Sequence, residues 1–336
     1  MLRRVIPALL VLLLLAGCGN AALSGPGGNG AFANEPGAGL TPPVDVSPDP
    51  TPTAPESPPA EGRTLDFLFF SDTQPDPGTG DYSGVGELLS QAIMRAPDAE
   101  LVLFGGDSVN DGGDEKEWDD FWQAVGPSLS GVETAAVSGN HDNYALLAER
   151  FDFPTDAPAG PGEGFFYSIV RGPVFFLMLD SNVMGAANQR EIDWVRQALQ
   201  SRDAASADWR IAVMHHPMWP LTDHPRDLQR AETMREHFLP LFYEYGVDLI
   251  LCGHQHVYSR TIPMSGETAA DDGRGLVQIM AASGDKATYT IGERDFLAAS
   301  GAAPNYLRLI ADKARLTVTA YDAGFTEIDS FVLDKP

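Results

Sequence analysis

The chain has 336 residues, 43% of them hydrophobic, enough for one large or two small domains with a sizeable core. Its formal charge of -25 speaks against a polyphosphate backbone as partner, because such binding leans on basic patches, so no duplex nucleic acid is expected. An acidic exterior of this kind keeps a protein soluble through self-repulsion and is compatible with cation binding.

Met1 to Cys18 opens with Arg3 and Arg4, runs through an apolar core from Val5 to Leu15, and closes with Leu15-Ala16-Gly17-Cys18. That is the layout of an export signal, since the core falls short of the ~20 residues a permanent membrane helix needs. Leu-Ala-Gly-Cys resembles the lipobox of bacterial lipoproteins. The resemblance implies a signal peptide over 1–17, lipid on the Cys18 thiol, and a place in the cell envelope, at the outer membrane or the outer face of the cell membrane. The alternative is a plain secretory peptide with an incidental cysteine. Residues 19–62 hold ten of the 26 prolines and eight glycines, with no Lys or Arg. Such a segment cannot bury enough surface to offset its ordering entropy, so 18–62 reads as a lipidated, disordered tether reaching about 35 to 40 Å. Only Cys252 follows Cys18, which excludes a disulfide within the mature domain and marks Cys252 as a small core residue.

Residues 63–336 are expected to form one domain. In chain order, an apolar run Leu65–Phe70 leads into Asp72 and Gln74, and Leu101–Phe104 leads through Gly105 and Gly106 into Asp107. Residues 132–137 lead into Ser138-Gly139-Asn140-His141-Asp142, 211–214 into His215, and 247–252 into Gly253-His254-Gln255-His256. Amphipathic helices are predicted between them at 86–95, 114–125, 189–200 and 227–245, and consecutive antiparallel strands follow at 275–281, 306–311, 315–321 and 327–333. This pattern is α/β, with a mixed two-sheet core flanked by helices. Gly, Asn and Asp are ordinary turn formers, so one such strand end means little. Five strand ends carrying oxygen or imidazole donors make a constellation, because open α/β sheets bind ligands beyond the carboxyl ends of their strands.

The order Asp72, Asp107, Asn140-His141-Asp142, His215, His254 and His256 resembles the calcineurin-like metallophosphoesterase superfamily. Met234-Arg235, Tyr245-Gly246-Val247-Asp248 and Gly253-His254-Gln255-His256-Val257-Tyr258-Ser259-Arg260 sharpen the resemblance toward the purple acid phosphatase branch. It implies a four-layer αββα sandwich holding two metal ions, of Mn, Fe or Zn, at the strand ends. It further implies Asp72, Asp107 and His256 on the first ion, and Asp107, Asn140, His215 and His254 on the second, with a bridging hydroxide as nucleophile. The residue chemistry agrees: a carboxylate such as Asp107 can bridge two cations, and His254 and His256, two apart, point the same way in an extended chain.

His141, beside a ligand and followed by Asp142, is placed to protonate the leaving alkoxide, with the carboxylate fixing its tautomer; the alternative is a structural histidine. His215 is preferred to His216 as ligand, and His216 is left to packing or substrate. His224 is expected either to contact substrate or to decorate an exposed loop, and Lys286, in Ser283-Gly284-Asp285-Lys286, to be a solvated turn lysine, the alternative being a lysine that approaches a phosphate. Two departures stand out. Gln74 takes the place of the usual histidine two residues after Asp72, offering a neutral amide oxygen that favours harder cations. Asn110 stands where the purple enzymes carry a tyrosine ligand. The expected function is a lipid-anchored, metal-dependent phosphoesterase acting on phosphate monoesters. The alternatives are a phosphodiesterase or nucleotidase, and a metal-binding envelope lipoprotein without turnover.

Overall fold

A computed structural model describes residues 64–154, 159–160, 164–183, 188–271, 273, 275–287 and 289–335. The predicted signal, Cys18 and the tether lie outside the described residues, among which no helix is long and apolar enough to cross a membrane. Two large sheets carry the fold. The first has six strands in the order Glu327–Asp334, Arg315–Asp322, Asn305–Ala311, Leu65–Phe70, Leu101–Phe104, Glu133–Ala136. Its last three strands run parallel, and the C-terminal strands add to Leu65–Phe70 antiparallel. The second has seven, in the order Leu297–Ala302, Val257–Thr261, Val277–Met280, Leu249–Cys252, Trp209–Val213, Val174–Met178, Tyr167–Arg171.

The strands that lead into the site are buried along their whole length: Leu65–Phe70, Leu101–Phe104 and Leu249–Cys252 expose no residue on either face. That is why they read as unbroken apolar runs. Facing residues of the two sheets share one core, in which the rings of Phe67 and Phe176 meet edge-on at 5.3 Å. Helices Ser83–Arg95 and Glu115–Val125 pack on the outer face of the first sheet through Leu88, Leu89, Trp118 and Phe121. Helices Asn188–Leu199 and Pro225–Tyr245 pack on the outer face of the second through Val195, Phe238 and Phe242, over Ala212, Ile250 and Cys252. The four-layer αββα arrangement is therefore borne out.

Local chemistry sets the helix limits. Asp114 caps the helix Glu115–Val125 by accepting from Lys116 N at 2.8 Å, and Gly246 ends Pro225–Tyr245 in the left-handed region at φ 67. One expectation is corrected. The strand predicted at 275–281 is Val277–Met280, and it lies in the second sheet, parallel to Leu249–Cys252, outside the C-terminal antiparallel run. Its fully buried residues demanded two covered faces, which a sheet interior supplies.

Candidate metal centre

The strand ends meet where Asp72 N donates to Gly106 O at 2.9 Å and Gly253 N donates to His215 O at 2.9 Å. Asp72, Asp107, His254 and His256 adopt φ of 48, 53, 79 and 50. Such backbone costs roughly 1–3 kcal/mol per non-glycine residue and persists only where the surroundings over-determine it. Here they do: the Asp72 carboxylate accepts from Ser71 Oγ at 2.7 Å and from His254 N at 2.8 and 2.9 Å. A Cβ at Gly253 would collide with Ser71 Oγ and Asp72 Oδ2, so glycine is the residue that lets this carboxylate sit against the chain. His254 and His256 thus converge through left-handed backbone and not, as the spacing predicted, through an extended strand.

Asp72, Asp107 and His215 are buried and offer ligand atoms within 4.8 Å of one another, as do His215, His216 and His254. Each imidazole is oriented by its far nitrogen. His215 Nδ1–H donates to Gly105 O at 2.9 Å, His256 Nδ1–H to Ala287 O at 2.9 Å, and His254 Nε2–H to Asp227 Oδ1 at 3.2 Å. The inward nitrogens are then His215 Nε2, His256 Nε2 and His254 Nδ1. Two of them, His215 Nε2 and His254 Nδ1, are buried without a hydrogen-bond partner. His215 Nε2 is 3.3 Å from Asp107 Oδ2 and His256 Nε2 is 3.5 Å from Asp72 Oδ1, without a well-directed hydrogen bond. A divalent cation fits this donor set, because a buried lone pair facing a carboxylate is otherwise uncompensated.

Burial raises the pKa of Asp107, but the charge of His215 and the N–H of His141 overcome it and hold the carboxyl below its ordinary range. Burial opposes the charge on His215 in turn, yet Asp107 pushes its pKa up, so an incoming cation displaces a proton. Burial pushes His254 down and keeps that ring neutral, despite the bond to Asp227.

Several sequence expectations meet different surroundings. Gln74 is buried, but its Nε2 donates to Val109 O at 3.0 Å and its Oε1 accepts from Lys286 Nζ at 2.9 Å. The oxygen expected on a cation is bonded to an ammonium group instead. Lys286 is accordingly no solvated turn lysine: it is half-buried, and Nζ also donates to His141 Nε2 at 3.2 Å. The Asp142 carboxylate accepts from the backbone N–H of Asp107, Ser108 and Gly139 at 2.8 to 3.0 Å, so it braces the loop that carries Asp107. The His141 tautomer is set by Asn110 O, which accepts from Nδ1–H at 2.6 Å, because a carbonyl oxygen has no proton to give.

Asn140 is exposed beside this group. His216 is buried, with Nδ1 2.8 Å from Ser181 Oγ and Nε2 2.9 Å from Arg230 Nη1. His224 stands exposed at the start of the helix Pro225–Tyr245, its Nδ1 3.7 Å from Asp227 Oδ1. Residues that no motif marked also reach the centre: Asp227 and Arg230 from the first two turns of that helix, and Tyr289, whose ring lies 5.8 and 5.3 Å from those of His254 and His256.

The sequence profile of the calcineurin-like phosphoesterase family matches residues 65–258. Purple acid phosphatase 23 of Arabidopsis thaliana is 29% identical over 154 residues, which cover 44% of this chain and 33% of the plant protein. The purple acid phosphatase PPD1 from yellow lupin (Lupinus luteus) seeds superposes with a TM-score of 0.70 at 19% identity, covering 82% of this chain and 54% of that one. GAP50, the anchor in the inner membrane complex of Plasmodium, superposes with a TM-score of 0.62 at 14% identity, covering 81% and 89%. The chain therefore spans between a third and about half of the length of the two plant phosphatases.

Proposed function

Since the chain belongs to the calcineurin-like phosphoesterase family, a family of hydrolases, we propose that it is a metal-dependent phosphoesterase that favours phosphate monoesters. The observation that carries this reading is the pair of buried, unpartnered nitrogens, His215 Nε2 and His254 Nδ1, with His215 also grouped with the Asp72 and Asp107 carboxylates. Asp72, Asp107, His215, His254 and His256 would hold two divalent ions. Bound there, the ions would polarise a phosphoryl oxygen and activate water for attack at phosphorus. His141 handles the leaving-group proton. With Nδ1–H committed to Asn110 O, Nε2, which meets Lys286 Nζ at 3.2 Å, is the nitrogen left to exchange a proton with an ester oxygen. Likeness to purple acid phosphatases supports the monoester preference.

The test is metal analysis of the purified chain, then assay of Mn²⁺-, Fe- and Zn²⁺-loaded protein on monoester, diester and pyrophosphate panels. Two bound ions and fastest turnover on monoesters are expected. A metal-free chain that hydrolyses equally well would sink the reading, and a diester preference would turn it toward a phosphodiesterase. One observation favours a second reading, an envelope protein that binds metal without turnover: the bond between Gln74 and Lys286 removes one donor from the first ion. Tight metal binding with no hydrolysis on any panel is its signature. The lipobox-like Leu15-Ala16-Gly17-Cys18 supports attachment to a membrane through Cys18. Cys18→Ala should then release the protein from the membrane fraction, and unchanged fractionation would exclude a lipid anchor.

A further inference from the structure

Lys286 is set into the centre by backbone and not by chance of a long side chain. Ser283 N donates to Ser71 O at 2.7 Å, Gly284 N to Asp72 O at 2.8 Å and Lys286 N to Gln74 O at 3.3 Å, so the turn is laced to the segment that carries Asp72. Asp76 N closes the same seam on Asp285 Oδ1 at 2.7 Å. A Cβ at Gly284 would collide with Gln74 O, which explains how the two backbones come this close.

The ammonium that this seam delivers has unusual company. Gln74 Oε1 at 2.9 Å and His141 Nε2 at 3.2 Å are its hydrogen-bond partners, and neither brings a negative charge. Gln74 is locked in that orientation by its own bond from Nε2 to Val109 O. Among the described residues other lysines pair with carboxylates, Lys116 with Asp120 and Lys335 with Asp248. Lys286 is in no such pair; burial lowers its pKa, while Asp107, Asp72 and Glu117 favour its charge from beyond contact distance. A half-buried cation held by groups without negative charge retains a donor for an anion, since an ammonium has three N–H bonds and two are used.

We propose that Lys286 is an oxyanion-binding residue of this site, its ammonium taking a non-bridging oxygen of the substrate's phosphoryl group. The inference rests on the phosphoesterase reading and adds a residue to it. Gln74 becomes the holder of the ammonium, which accounts for an amide at a position where an imidazole would ligate a metal and leave no acceptor for a lysine. The need for such a group follows from the charge of the chain. At a formal -25 the protein repels an anionic ester, and a fixed positive charge inside the cleft reverses the local field where the ester must dock.

Inorganic phosphate is the probe. Its affinity is measured by titration calorimetry on the full chain saturated with Mn²⁺, for the native protein, Lys286→Met and Lys286→Arg, with metal content determined on the same samples. Lys286→Met should weaken phosphate binding by about tenfold or more, as expected for losing a charged hydrogen bond, with metal content unchanged. Lys286→Arg, which keeps the charge, should retain most of the affinity, and Lys286→Gln serves in place of methionine if the turn is disturbed. Native-like phosphate affinity in Lys286→Met overturns the proposal. So does a loss that tracks lost metal, because Lys286 would then act on the ions. A chain that hydrolyses no ester but binds phosphate through Lys286 breaks the functional reading and leaves this one standing. Ester hydrolysis with phosphate affinity indifferent to Lys286 does the reverse.

Discussion

On one side of the centre, His215 and His254 each fix one nitrogen on an acceptor, Gly105 O and Asp227, and leave the other buried with nothing bonded to it. On the other side, the polar atoms of Gln74 and His141 are bonded to the ammonium of Lys286. The first arrangement presents lone pairs that lack a positive charge, and the second presents a positive charge that lacks a negative one. A buried polar group without its complement is costly, so each side defines what it must receive: a cation near His215 and His254, an anion near Lys286. A phosphate ester on a metal ion supplies both at once. The two sides share Asp107, whose Oδ2 lies 3.3 Å from His215 Nε2 and whose Oδ1 accepts from His141 N at 2.8 Å.

Removing that shared residue should collapse both sides and have the largest effect. Asp107→Ala is expected to weaken divalent-metal binding by more than about 100-fold and to abolish turnover, measured by metal analysis and ester hydrolysis on one preparation. A metal-loaded, active Asp107→Ala would show that the carboxylate is dispensable to the centre. His141→Ala separates the sides. It should keep its metals and lose on the order of 10²-fold in rate on alkyl phosphates, whose leaving groups need a proton, and far less on aryl phosphates. Equal losses on both substrate types would take the proton transfer away from His141.

The cation side was legible in the sequence, and the anion side only as the less favoured of two readings of Lys286. Asp72, Asp107, His215 and His254 follow buried apolar strands directly, and a strand end in an α/β sheet has one destination, the crevice beyond its carboxyl edge. Lys286 follows the strand Val277–Met280, whose assignment to the wrong sheet hid the fact that its exit also reaches the crevice. Asp227 and Arg230 were invisible for another reason. They lie one turn apart on an amphipathic helix, where charged residues on the outward face are the rule, and only the packing of that helix shows that its first two turns meet His254 and His216. The pairing of His141 with Asp142 was misread because adjacent residues in a turn seldom face each other. Asp142 instead reaches back to three backbone N–H groups, and a carbonyl 31 residues away takes the imidazole.

The finest discrimination between the sides comes from Asp227, which touches the cation side only. Its carboxylate accepts from Thr222 Oγ1 at 2.9 Å, from Gln255 Nε2 at 3.3 Å and from His254 Nε2–H at 3.2 Å. Burial works against its charge, but those hydrogen bonds prevail and bring its pKa down to about 2, so it is ionised wherever the protein is folded and neutral histidine is available. An ionised acceptor on Nε2–H fixes the tautomer that bares Nδ1 and makes Nδ1 a stronger donor. Asp227→Asn keeps the shape and removes the charge. It should weaken one metal site by about tenfold, the lower end of what such a supporting residue contributes, and leave the site built on Asp72 and His256 as it was. Phosphate affinity at saturating Mn²⁺ should stay within about twofold of native, because Lys286 and its neighbours are untouched and distant sites add independently. If phosphate affinity fell as far as metal affinity under saturating metal, the two sides would be one cooperative unit, and the division between a cation-receiving and an anion-receiving half would be wrong.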